Sequence, residues 1–183
     1  VGPADAPKGD WKALKGKKVA IAMPGNMPDL VFSYLLKKNG LDRKDIEVVN
    51  ATDGQQAMQK LASGEADYAV LPEHVATLAQ AKLKEKGKET ARVFNLQEEW
   101  AKVTGKKARF PMAGLVMPGN LVDSRPGLPA AVRAEVKASV DKANAGDPAT
   151  LQAIADHYKL PVDVVKQVIP RLQLDVVPAK EAK

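Results

Sequence analysis

Three polar phrases carry the residues best suited to chemistry: Gly25-Asn26-Met27, Thr52-Asp53 and Glu73-His74. Each follows a short apolar run and precedes an amphipathic one, the pattern of a strand–loop–helix unit. At such a junction, glycine lets the backbone come close to a ligand. The free N–H groups and the dipole of the helix behind it favour an anionic or carbonyl group. Asn26 has two readings, a ligand contact through its amide or a helix cap with Gly25 as a plain turn. Asp53 has the same two readings, and Thr52 is the freer of that pair to face a cleft. Glu73 and His74 could form an acid–base pair in an enzyme. The plainer reading of Glu73 is a first-turn carboxylate that suits the helix dipole, which is compatible with ligand contact.

Other chemistries find little support. The chain has no cysteine, so disulfides, thiolate metal sites and cysteine nucleophiles are excluded. The second histidine, His157, is far along the chain with no acidic ligand pattern around it, so no metal site is expected. Gly-x-Ser-x-Gly, Walker and Gly-x-Gly-x-x-Gly phrases are absent, and no nucleophile has a visible base. No catalytic residue and no cofactor are expected. Binding is favoured over catalysis.

The composition, 45% hydrophobic and 27% charged over 183 residues, is that of a globular chain long enough for one sizeable domain or two small ones. The formal charge of +6 reads as solvated lysines on helix faces and turns. Aromatics make up only 4% and do not interleave with the basic runs at 15–18, 82–88 and 106–109, so nucleic acid is not expected as a partner. No run reaches the length of a membrane span. The first ten residues lack the apolar core of a signal peptide, and Val1 stands where an initiator methionine would. A processed form or a piece of a longer chain is expected.

The elements that must position the polar phrases read as follows. Residues 1–13 form an extended lead-in. Lys18–Ala22 is a buried strand closed by Pro24-Gly25. Asn26 is placed to cap a helix with Leu30, Val31, Tyr34 and Leu35 on one face, stopped at Gly40. Residues 46–50 form the second strand. Asp53 with Gln56 makes a capping box for a helix that stops at Gly64. Residues 67–71 form the third strand, and Pro72 opens the next helix. Residues 90–95 and 113–117 are further strand candidates, with a short helix at Leu96–Thr104 between them that turns Trp100 inward. The remainder reads as helix: 126–144, one opened by Asp147-Pro148, and one opened by Pro161 that Pro170 ends or kinks. Residues 174–177 are apolar enough for a last edge strand. Alternating strands and helices give an α/β fold, a mostly parallel sheet flanked by helices, followed by a helical C-terminal segment.

Several phrases carry a resemblance. Leu14-Lys15-Gly16-Lys17-Lys18-Val19-Ala20-Ile21, the turn at Gly25, Gly40-Leu41-Asp42-Arg43-Lys44-Asp45-Ile46, Leu61-Ala62-Ser63-Gly64-Glu65-Ala66-Asp67-Tyr68-Ala69 and Pro72-Glu73-His74 follow in order. Together they resemble the second lobe of type II periplasmic substrate-binding proteins of ABC transporters. The greatest similarity is to the branch of nitrate, sulfonate and taurine binders and thiamine-precursor binders. The segment from Arg109 to Met117 and the helices after it resemble the return to the first lobe. The resemblance implies lobe one of this fold at 113–183 and the ligand-binding lobe at 14–112. It implies a small-molecule ligand held by Gly25, Asn26, Thr52 and Glu73, with Met27 as an apolar wall and Asp53 and His74 nearby. It implies an ABC transporter permease as partner, and a periplasmic or extracellular, membrane-associated location.

Members of that family begin with a further half-lobe before the Leu-Lys-Gly-Lys phrase. The resemblance therefore implies a fragment or a shortened relative, with a partner chain covering the missing half-lobe or apolar surface left exposed. Two other classes share the fold. One is an enzyme of thiamine-pyrimidine or menaquinone type, for which His74 is the local catalytic candidate. The other is an effector-sensing domain of a regulator, which requires a helix-turn-helix upstream.

Overall fold

The computed structural model describes residues 1–181. It divides into two units, Val1–Phe110 and a second that begins at Pro111. In chain order the first unit holds β1 (Gly2–Pro3), β2 (Lys18–Ala22), α1 (Met27–Lys38), β3 (Glu47–Ala51), α2 (Gly54–Ser63), β4 (Tyr68–Val70), α3 (Glu73–Glu85), β5 (Thr90–Ala91) and α4 (Leu96–Thr104). The second holds α5 (Gly119–Ser124), α6 (Leu128–Asn144), α7 (Pro148–Tyr158) and α8 (Val162–Leu172).

The sheet that positions the polar phrases has the order β3-β2-β4, and both neighbours run parallel to β2. Ala22 aligns with Ala51, and Ile21 with Val70, so the three strands end level. Alternate residues of β2 point to opposite faces. Val19 and Ile21 pack with Val31, Phe32, Leu35 and Leu36 of α1. Ala20 and Ala22 pack with Ala57 and Leu61 of α2. Large side chains fill one face, and alanines let α2 come close on the other. The result is the expected α/β fold with a parallel sheet.

Residues 1–13 are more than a lead-in. Val1 and Ala69 exchange both backbone hydrogen bonds at 2.9 Å, so the chain start lines the outer side of β4. β1 then pairs antiparallel with β5. Trp11 opens a 3-10 turn, Trp11–Leu14, and is 3% exposed. Its ring stacks near Phe94 and Phe32 at centroid distances of 4.5 and 5.8 Å, and its Nε1–H donates to Glu99 at 2.8 Å. Trp100 is half-buried against Tyr34 and Phe110.

The strand expectations after β4 change. The candidate at 90–95 shrinks to β5, Thr90–Ala91. Residues 113–117 form no strand: Leu115 and Val116 are 67% and 93% exposed. Residues 174–177 form none either. Apolar, β-branched composition makes a strand only where a sheet edge is available to pair, and no described strand pairs with either segment. The turn signal at Pro118 starts the short helix α5 instead. Asp147 caps α7 as expected, accepting from the Thr150 N–H at 2.8 Å. Pro170 lies inside α8, two residues before its end. The second unit has its own small core of Ala143, Leu151, Ala155, Val165 and Ile169.

Replacing Trp11 by Ala is expected to cost about 3–5 kcal/mol in urea denaturation, the value for a large buried aromatic. A change within about 0.5 kcal/mol, as for a surface lead-in, would contradict its place in the core.

Candidate functional site

Parallel strands with level ends release their chains at one edge, and all three polar phrases leave from it. β2 runs out into Met23-Pro24-Gly25-Asn26, β3 into Thr52-Asp53, and β4 into Leu71-Pro72-Glu73-His74. β2 connects through α1 to β3 on one side, and β3 connects through α2 to β4 on the other. The end of β2 is thus a topological switch point, where open α/β sheets hold ligands.

The first loop is a tight turn. The Asn26 N–H donates to the Met23 carbonyl at 3.0 Å, with Pro24 and Gly25 between them and Gly25 at φ +80°. This is the pattern of a type II turn, where the third position needs positive φ. A Cβ built on Gly25 would meet nothing within 4 Å, so the space above the turn is open. Met23 also sits at φ +52°, a conformation uncommon for a residue with a side chain.

Asn26 occupies the cap position of α1 and makes no side-chain cap bond. Asp29, in the first turn, reaches back instead to the turn before the cap. Its carboxylate, 6% exposed, accepts from the Gly25 N–H at 2.8 Å and pairs with Arg43, whose guanidinium also donates to Ser33 Oγ at 2.7 Å. Asp29 thereby braces the turn from below. Burial opposes its ionisation, but the Gly25 N–H and the Arg43 guanidinium outweigh it and hold the carboxyl below its ordinary value. Asn26 and Met27 stay exposed at the tip.

The second loop is capped from both directions. Asp53 accepts from the Gln56 N–H at 2.8 Å, and Gln56 Oε1 accepts from the Thr52 N–H at 2.7 Å. The return bond of the expected box therefore reaches Thr52, one residue earlier. Gly54, buried, lets α2 pack on the third loop: a Cβ there would lie 3.0 Å from Val75 and 3.1 Å from Pro72.

In the third loop Glu73 stands at the shared edge, but its carboxylate is occupied. Arg92 reaches it through Nη2 at 2.6 Å and Nε at 3.3 Å, and the Thr77 hydroxyl donates to it at 3.0 Å. Arg92 also donates to Gln80. His74 is half-buried; burial favours its neutral ring and pushes the imidazole down from the ordinary value, outweighing Glu73, which favours the charged form.

The structure brings Gly25, Asn26, Met27, Thr52, Asp53, Glu73 and His74 to one edge. Sequence reasoning missed the side chains behind them: Arg43, Ser33, Arg92, Thr77 and Gln80, and the bracing role of Asp29. Arg43 and Arg92 lie 14 and 19 residues from their partners, beyond any local spacing rule. Among the described residues no group of three or more His, Asp or Glu could hold a metal, and no helix is long and apolar enough to cross a membrane.

This arrangement is a parallel α/β unit with three helix N-termini at one sheet edge. Alkanesulfonate-binding protein SsuA of Xanthomonas axonopodis pv. citri, solved bound to MOPS, shares the fold at a TM-score of 0.62 with 16% identity, over 91% of this chain and 52% of that one. A solved protein of Bordetella bronchiseptica RB50 shares it at 0.58 with 23% identity, over 93% and 54%. The Bacillus subtilis (strain 168) protein YtlA, which carries a binding-protein name, is 36% identical over 74 residues, 40% of this chain and 22% of its own length. The chain thus spans about half the length of the solved structures it matches. The family model described as ABC transporter, phosphonate, periplasmic substrate-binding protein matches residues 1–154, and the chain belongs to that family.

The depressed Asp29 carboxyl gives the native state fewer bound protons than the unfolded state in the acid range. Its contribution is therefore present above the unfolded value near 3.8 and lost as pH falls through the lower native value. Asp29→Asn is expected to lower stability at neutral pH by about 1–3 kcal/mol and to flatten the acid limb of a urea-derived stability profile. An unchanged acid limb would remove Asp29 from the account.

Proposed function

We propose that this chain forms the second-lobe ligand platform of a solute-binding protein serving an ABC importer, and that the solute is a small oxyanion of the phosphonate or sulfonate kind. The observation that carries this reading is the convergence of three helix N-termini on one sheet edge. Their N–H groups and dipoles favour an anion. The acids among them are engaged: Asp29 by Arg43 and Gly25, Glu73 by Arg92, and Asp53 by Gln56. The backbone around Gly25, the Asn26 amide and Thr52 supply polar contacts, Met27 an apolar wall, and His74 a neutral neighbour. Glu73 and Asp53 shape this edge from their internal bonds.

The phosphonate description of the family and the sulfonate named in the SsuA structure support this class of solute. Nitrate and taurine, as small oxyanion solutes, belong to the same reading, and a thiamine-precursor pyrimidine is the solute class that opposes it. Lobe closure on the solute, a permease as receiver and a periplasmic or extracellular membrane-associated location are part of the same proposal, and the family description supports the transporter and periplasmic parts. The second half of the clamp comes from a further half-lobe, whether in the same polypeptide or a partner chain. Its place is consistent with the apolar, unpaired residues 112–117, where Met112 is 54% exposed.

A thermal-shift screen tests the solute class. Methylphosphonate, methanesulfonate or taurine at about a hundredfold excess over Kd adds about 2.7 kcal/mol to the folded state and raises Tm by several degrees. Stabilisation by amines or pyrimidines alone would contradict the oxyanion reading.

A further inference from the structure

A first-turn glutamate satisfies a helix dipole by itself. Glu73 does so at the edge proposed to receive an anion, where an unbalanced carboxylate would repel it. The structure resolves this conflict with a side chain from outside the helix. Arg92, just beyond β5, lies along α3 and reaches three successive turns: Glu73, Thr77 and Gln80. Two of its nitrogens go to the two oxygens of Glu73, at 2.6 and 3.3 Å. Gln80 is itself fixed by donation to the Thr90 carbonyl at 3.0 Å, so the arginine is held from both ends. The Glu73 and Arg92 side chains are 21% and 31% exposed, so the pair is partly removed from water and its field is less screened than on an open surface.

Resting on the solute-binding reading above, we infer that Arg92 is a specificity-determining residue: by pairing with Glu73 it withdraws that negative charge from the ligand edge and selects oxyanions over amines. Arg92 acts through Glu73 and touches no solute.

Isothermal titration of the full chain with methylphosphonate and, separately, 2-aminoethanol tests this. Arg92→Gln is expected to weaken methylphosphonate roughly tenfold, the effect of removing one positive charge several ångströms away, and to gain measurable 2-aminoethanol binding. Glu73→Gln/Arg92→Gln is expected to return methylphosphonate affinity to within about threefold of wild type and to lose the amine. A merely structural Arg92 would lose methylphosphonate in both variants and gain no amine, which would overturn the inference. So would an Arg92→Gln variant that binds like wild type. Where Arg92→Gln does not fold, Glu73→Gln alone decides: it leaves the guanidinium unbalanced and should tighten methylphosphonate, and weaker binding would overturn the inference. A wild-type chain that binds no methylphosphonate removes the solute reading first, and this inference with it.

Discussion

β3 and β4 both hydrogen-bond to β2 in parallel register, and that pairing dictates where every other part of the site can lie. Parallel neighbours require crossover helices, and right-handed crossovers on either side of β2 place α1 and α2 on opposite faces. The alternation of β2 accommodates both, with valine and isoleucine toward α1 and alanines toward α2. The loops then have no choice of edge. Three helix N-termini gather where the strands end, and the local charge is set by backbone dipoles before any side chain contributes.

Side chains refine that field by the partners they engage. Helix N-termini attract acids, and this chain places Asp29, Asp53 and Glu73 at them. Each acid is then engaged from its own element or from behind: Asp29 by the Gly25 N–H and Arg43, Asp53 by the Gln56 N–H, and Glu73 by Arg92. The Asp29 arrangement has a second effect. It pins a turn in which Met23 and Gly25 both sit at positive φ, so the turn is held by a partly buried charge pair and does not rely on its own preference. Preorganisation of this kind reduces the ordering cost of binding. A two-lobed clamp adds the remaining contacts on closure, and its ligand is whatever both lobes together favour.

Much of the platform was legible in the residues. Lys18–Ala22, Gly25, Gly64 and the Asp53–Gln56 pair announced the βα units because strand composition, glycine stops and capping are local signals. The bracing side chains were hidden because their partners meet only after folding, as with Arg92 and Glu73. Asn26 misled for a local reason. Its type and position suit a cap, but its side chain makes no cap bond, and the second helical residue, Pro28, has no N–H to give. The apolar residues 113–117 misled in another way: composition reports readiness to pair, and no described strand pairs with this segment. The burial of Trp11 lay beyond periodicity, since it depends on Phe94 and Glu99, more than eighty residues away.

The central claim is that three helix N-termini at one sheet edge receive an oxyanion. Amide chemical-shift mapping during a methylphosphonate titration reads it most directly. The account predicts shifts concentrated at residues 23–29, 52–55 and 73–75, all following one saturation curve. Saturating shifts confined to other surfaces, such as the opposite end of the sheet around Asp67 and Lys88, would contradict it.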